Sequence, residues 1–288
     1  MERRFERLSS SAEGRMSWAR PFARLALLLP VLCAVAGVAL FPDVAAPAQS
    51  EPRLALVFGN AAYTAPGAAL RNPVNDAREM AAALNELGFS VMLGEDADHA
   101  TMRRAIREFE DRLRHTKGVG LFYFAGHGVQ LEGHNYLVPI GPKLLVETEV
   151  RERTIDATDL VERLRNTGNQ LNIVILDACR DNPLLKPAFV ARGAVSTLGL
   201  APMRPASGTL VAFATEAGRV ASDGAAGRSL YTKYLVQYMR TPGLTLEQVF
   251  KRVREAVNRE TNGKQVPVEY NTLTGTDFYF VAGPQAQR

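Results

Sequence analysis

Two reactive side chains stand where two of the most apolar stretches of this 288-residue chain end. Ile173-Val-Ile-Leu176 runs into Asp177-Ala-Cys179-Arg180, and Val119-Gly-Leu-Phe-Tyr-Phe-Ala125 terminates in Gly126-His127-Gly128. Uninterrupted apolar runs of this length read as strands buried on both faces. Each strand thus delivers its polar cluster to its carboxyl end, where open α/β sheets bind ligands. A thiolate is intrinsically nucleophilic, and an imidazole supplies the proton that a leaving amine needs. Cys179 and His127 therefore make a candidate amide-hydrolysing pair, the first as nucleophile and the second as general acid and base. Gly126 and Gly128 allow a sharp turn beside His127, and the N–H groups of Gly128 and Cys179 are candidates for an oxyanion hole. Taken singly, His127 reads equally well as a structural histidine at a strand end, and Cys179 as a small buried hydrophobe. Their matching positions at strand ends favour catalysis. His99 and His115 fall at helix ends and His134 in a polar turn, so they do not compete for the role.

These side chains need a rigid frame, and the flanking pattern describes one. Arg53 to Gly59 reads as a first buried strand, followed by a Gly, Pro and Ala-rich loop over 60–70. A helix follows, with Asn72 as N-cap, Pro73 at its first position, Met80, Ala83, Leu84 and Leu87 at helical spacing, and Gly88 closing it. Phe89 to Leu93 is a short strand, and Thr101 to Arg114 is an amphipathic helix with Met102, Ile106, Phe109 and Leu113 on one face. Alternation of strand and helix implies an α/β fold, a mostly parallel sheet with helices on both faces. Val129 to Ile140 alternates and reads as a hairpin, and Ile155 to Leu164 as a helix capped by Asp156 or Thr154. Residues 184–207 form a long Gly, Pro and Ala-rich loop with little apolar surface to hold it down. Thr209 to Thr215 is a buried strand, Ser229 to Met239 a helix, and Thr245 to Glu260 a helix opened by a capping box of Thr245 and Gln248. Asp277 to Val281 reads as a last short strand.

The first 48 residues read as a signal peptide: arginines 3, 4, 7, 15, 20 and 24, an apolar stretch from Leu25 to Phe41 broken by Pro30, and a small-residue cleavage site at Ala46-Pro-Ala48. The alternative is an uncleaved membrane anchor, the only membrane contact expected. Both imply export, to the periplasm or beyond. Residues 50–282 then form one domain, with 283–288 a short tail. Residues 1–48 hold 6 of the 34 Lys and Arg and 4 of the 30 acids, so the remainder is close to charge balance and suggests no nucleic-acid surface. Cys33 leaves with the leader, and a lone Cys179 in an oxidising compartment is a free thiol that needs a role. No G-x-G-x-x-G or G-x-x-x-x-G-K-[ST] motif occurs, which sets a nucleotide-binding domain aside. No cofactor and no essential metal are expected.

His127 precedes Cys179 by 52 positions, near the roughly 50 of caspases, and Asp177-Ala-Cys-Arg-Asp181 is an altered form of their nucleophile signature. With Ala55-Leu-Val-Phe-Gly-Asn60, Asn72-Pro-Val-Asn-Asp-Ala77, Tyr123-Phe-Ala-Gly-His-Gly128, Asn135-Tyr-Leu-Val-Pro139 and Ser229-Leu-Tyr-Thr232 in order, the chain resembles the caspase-like cysteine peptidases, specifically the bacterial metacaspase relatives called orthocaspases. The resemblance implies a caspase-hemoglobinase fold, His127 as general acid and base, and Cys179 as nucleophile. It also implies that Asp177, in place of a caspase Gln, and Asp76 line a pocket for the residue before the cut. Acids there repel Asp and attract Arg or Lys, so the expected substrates are peptides or proteins with those residues. Asp76 also reads as a first-turn acid favoured by the helix dipole. Pro73 and Ala125 depart from a Cys and a Ser lining some metacaspase pockets. By position the 184–207 loop matches the linker between caspase subunits, making Arg192, Lys186 and Arg204 candidate self-cleavage sites, Arg192 first. A catalytically weak or inactive peptide-binding scaffold is the alternative function, and oligomeric state is left open.

Overall fold

The computed structural model describes residues 51–141, 147–179, 195–196, 200–205, 207–216 and 227–283, with the backbone alone at positions 179, 195 and 196. The expected leader, Lys186, Arg192 and nearly all of the short tail lie outside the described residues. In chain order the elements are β1 (Arg53–Gly59), α1 (Pro73–Glu86), β2 (Ser90–Glu95), α2 (His99–Thr116), β3 (Val119–Leu131), β4 (His134–Leu137), α3 (Glu147–Arg153) and β5 (Ile155–Asp156). There follow α4 (Ala157–Arg165), β6 (Leu171–Cys179), β7 (Val195–Ser196), β8 (Thr209–Phe213), α5 (Leu230–Met239), α6 (Leu246–Glu260) and β9 (Val268–Asn271). Strands run in the order β2-β1-β3-β6-β8-β9, parallel throughout except for the last pair. The two strands that carry His127 and Cys179 are the middle two.

Alternation along the central strands sorts their side chains into two cores. Ala55, Val57, Leu121, Tyr123, Ile173 and Ile175 pack with Met80 and Leu84 of α1, Leu235 of α5 and Val249, Phe250 and Val253 of α6. Leu54, Leu56, Phe122, Phe124, Val174 and Leu176 pack on the other face with Ile106 and Phe109 of α2 and Leu160 and Leu164 of α4. Strands sandwiched in this way leave no face for polar residues, which is why they read as continuous apolar runs. At the end of β1 a Cβ on Gly59 would stand 2.2 Å from the Pro73 carbonyl oxygen, so only glycine lets α1 start this close to the sheet.

Three readings of the sequence are corrected. The third strand does not terminate at Gly126-His127-Gly128 but continues to Leu131, because pairing with β6 and then with β4 satisfies its backbone. A two-residue turn at Glu132 and Gly133, both at positive φ, joins it to β4. The segment Asp277–Val281 is no strand: its ladder contact is a single bridge from Tyr279 to Thr245. The edge strand is instead Val268–Asn271, short and half-buried, antiparallel to β8. Finally, the described part of the 184–207 stretch is held down better than its composition suggests. Val195–Ser196 pairs with Gln130 and Leu131, and Leu200, Ala201 and Met203 are buried. The buried Asn135 side chain clamps this stretch, donating to the Ala201 carbonyl at 2.8 Å and accepting its N–H at 2.6 Å. Asn72 does stand at the N-cap of α1, although its side chain makes no capping bond.

Candidate active site

Parallel pairing of β3 with β6 sets Ala125 beside Asp177, Gly126 beside Ala178 and His127 beside Cys179. The residues named as base and nucleophile are therefore register partners on adjacent strands, whose backbones lie roughly 5 Å apart. His127 is buried, with 2% of its surface exposed. Its Nε2 lies 2.7 Å from the Ala68 carbonyl oxygen. A carbonyl only accepts, so Nε2 carries the proton and Nδ1 is the basic lone pair of the neutral ring. Nδ1 is buried and has no hydrogen-bond partner among the described residues. Burial lowers the imidazole pKa, and the Ala68 contact partly opposes that shift. The outcome is a neutral ring, aimed by Ala68, with a basic nitrogen that no described residue claims, on the strand beside that of Cys179.

The glycines around His127 allow close approach more than a reversal of the chain. A Cβ on Gly126, whose φ is +158°, would come within 2.7 Å of Tyr63 Oη and 2.8 Å of Phe124 Cζ. One on Gly128 would meet Leu200 Cδ2 at 2.9 Å and Ala178 Cβ at 3.2 Å. Tyr63 and Ala68 belong to the 60–70 loop and surround the imidazole. Neither was marked by the sequence, since the contacts span 64 and 59 positions and Ala68 acts through a carbonyl that any residue carries.

The two expected pocket acids converge on one residue. Ser229, the N-cap of α5, donates its N–H to Asp76 Oδ1 at 2.8 Å and its hydroxyl to Asp177 Oδ2 at 2.5 Å. Thr232 Oγ1 donates to the same Asp177 oxygen at 2.9 Å. Asp76 and Asp177 are 1% and 7% exposed, so water reaches the second slightly and the first hardly at all. Both carboxylates act on the buried Tyr123 hydroxyl, whose pKa is pushed up first by burial, then by Asp177 and Asp76. Asp76 keeps its place in the first turn of α1, so the dipole reading and the pocket reading describe one position. Arg204 is exposed, just beyond the buried Met203. His99 opens α2, His115 sits in its last turn, and His134 opens β4 with Nδ1 3.0 Å from Asp156 Oδ2.

The fold agrees with what the chain is similar to. The human mucosa-associated lymphoid tissue lymphoma translocation protein 1 is 30% identical over 132 residues, and its mouse homologue equally so. The match covers 46% of this chain but 15% of each relative, so the chain spans a small part of their length. The crystal structure of the Drosophila initiator caspase Dronc shares the fold, with a TM-score of 0.56 at 15% identity over 79% of this chain and 82% of that one. Residues 52–279 match the Caspase domain family, which takes in every strand and helix described above, and the chain therefore belongs to this family of caspase-like cysteine peptidases.

Proposed function

We propose that the protein is an exported cysteine endopeptidase of the metacaspase type that cuts after Arg or Lys. The observation that carries this reading is the buried Nδ1 of His127, without a described partner, on the strand register partner of Cys179. Nδ1 takes the thiol proton, and the thiolate attacks the peptide carbonyl carbon. The N–H groups of Gly128 and Cys179 receive the oxyanion, and the imidazolium returns its proton to the departing amine as the C–N bond breaks. Water then cleaves the thioester with His127 as base, releasing the new carboxyl end. Asp177 and Asp76, drawn together by Ser229, give the residue before the cut a negatively charged wall. A guanidinium satisfies such a wall with bidentate bonds, so Arg is preferred to Lys.

Matched fluorogenic peptides with Arg, Lys, Asp or Leu before the scissile bond test the reading. Arg is expected to be cut fastest, and Cys179→Ala or His127→Ala to cost roughly three or more orders of magnitude in rate. Undiminished hydrolysis in both variants removes the dyad, and preference for Asp or Leu removes the acidic pocket. No hydrolysis by the unmodified protein would favour the peptide-binding scaffold.

A further inference from the structure

We infer that Tyr63 is a positioning residue for His127, tying both its backbone and its ring so that Nδ1 stays at the Cys179 strand end. The Tyr63 ring is buried, and its centroid lies 4.5 Å from that of the imidazole at a tilt of 59°. Its hydroxyl accepts the His127 N–H at 3.0 Å and donates to the Val138 carbonyl at 2.8 Å. The Val138 N–H returns to the His127 carbonyl at 3.0 Å. One hydroxyl thus closes a ring of bonds through both polar groups of the His127 backbone. A residue that only filled space would not need it, and phenylalanine would serve.

The clamp is itself anchored. Tyr63 N–H and Leu70 N–H both donate to the Ala61 carbonyl, at 2.9 and 3.0 Å, and Ala68 N–H donates to Ala65 at 3.0 Å. Asp96, exposed and at positive φ, accepts the N–H groups of Ala61 and Ala62 at 2.7 and 2.9 Å. Asn60 fastens the start of the loop, accepting the Ala97 N–H at 2.9 Å and donating to the Ala97 and Val138 carbonyls. The same loop supplies Ala68, so imidazole Nε2, imidazole face and backbone are all referred to one small body. Gly126 admits the hydroxyl, since a Cβ there would crowd it at 2.7 Å.

This inference takes the catalytic role of His127 from the proposed function, and its test has one arm independent of that role. Tyr63→Phe keeps the ring and removes both hydroxyl bonds. Misplacing a catalytic group by an ångström costs on the order of a hundredfold, so kcat for the Arg peptide is expected to fall about ten- to a hundredfold while KM changes by less than about twofold. In a Cys179→Ala background, NMR titration of the His127 imidazole should show its pKa rising towards the ordinary value as the loosened ring meets water. Asp96→Ala, acting on the loop from its exposed side, should move both readouts the same way and decides the matter if Tyr63→Phe does not fold. A folded variant with unaltered kcat and titration, losing only thermal stability, reduces Tyr63 to packing and overturns the inference. If the unmodified protein cuts no peptide, the proposed function fails, and the titration still tests the clamp.

Discussion

His127, the proposed base, also contributes to the pH response of the domain. Its imidazole is neutral in the fold because burial lowers its pKa, whereas in the unfolded chain it titrates near 6.5. As pH falls through that value the unfolded chain takes up a proton that the folded one still refuses. The stability His127 contributes is therefore complete above about pH 6.5 and is lost as pH drops to its lower folded value. Denaturant titrations at pH 7.5 and pH 5 should show the loss, and His127→Gln should flatten that part of the profile. An unchanged profile in the variant would place the pH dependence elsewhere. The residues proposed to do chemistry could be picked out because thiol, imidazole and carboxylate are distinctive types in distinctive surroundings. What aims them was not: Ala68 works through its backbone, and Tyr63 lies in a loop with no periodicity.

At the scale of the element, local rules were most readable where one segment decides its own fate. The Thr245 and Gln248 capping box is formed as its spacing requires, with each side chain taking the other's backbone N–H. Thr245→Ala should lower unfolding free energy by about 1 kcal/mol. Gly59→Ala should cost more, about 1–3 kcal/mol, because the added methyl meets a backbone carbonyl that cannot step aside without moving α1. Chemical denaturation of the two variants checks the order; Thr245→Ala as the worse of the pair would contradict it. Elements set by distant partners were harder to read. The last strand exists because β8 offers an open edge, and no feature of Val268–Asn271 outweighs the apolar Phe278, Phe280 and Val281 that drew the reading downstream. Those aromatics are used in packing instead, with Phe280 buried and Phe278 against the Arg53 guanidinium.

Over the whole molecule, the candidate cuts after Lys186, Arg192 or Arg204 fall between β6 and β8, which are parallel neighbours within the sheet. Ile173, Ile175, Leu210 and Ala212 also share one core with α1, α5 and α6. Cleavage would therefore sever the chain without parting the halves. Purified protein should run as two bands under denaturing conditions and elute as one species on gel filtration, with Cys179→Ala uncut; an active enzyme that stays a single chain removes the self-cleavage proposal. Sequence composition described this stretch as loose because it does not reveal that Asn135, 66 positions away, grips Ala201.

The pairing of His127 with Cys179 has one more consequence. Register between two strands is an integer, and a slip by one residue turns a strand's whole set of side chains to the opposite face. The backbone positions that carry the two proposed active groups therefore have no gradual way to drift apart while the sheet is intact. Weakening the cores should reduce the number of competent molecules and leave each remaining one as fast as before, so that mild heat or a core mutation dims activity like a dwindling count of identical lamps.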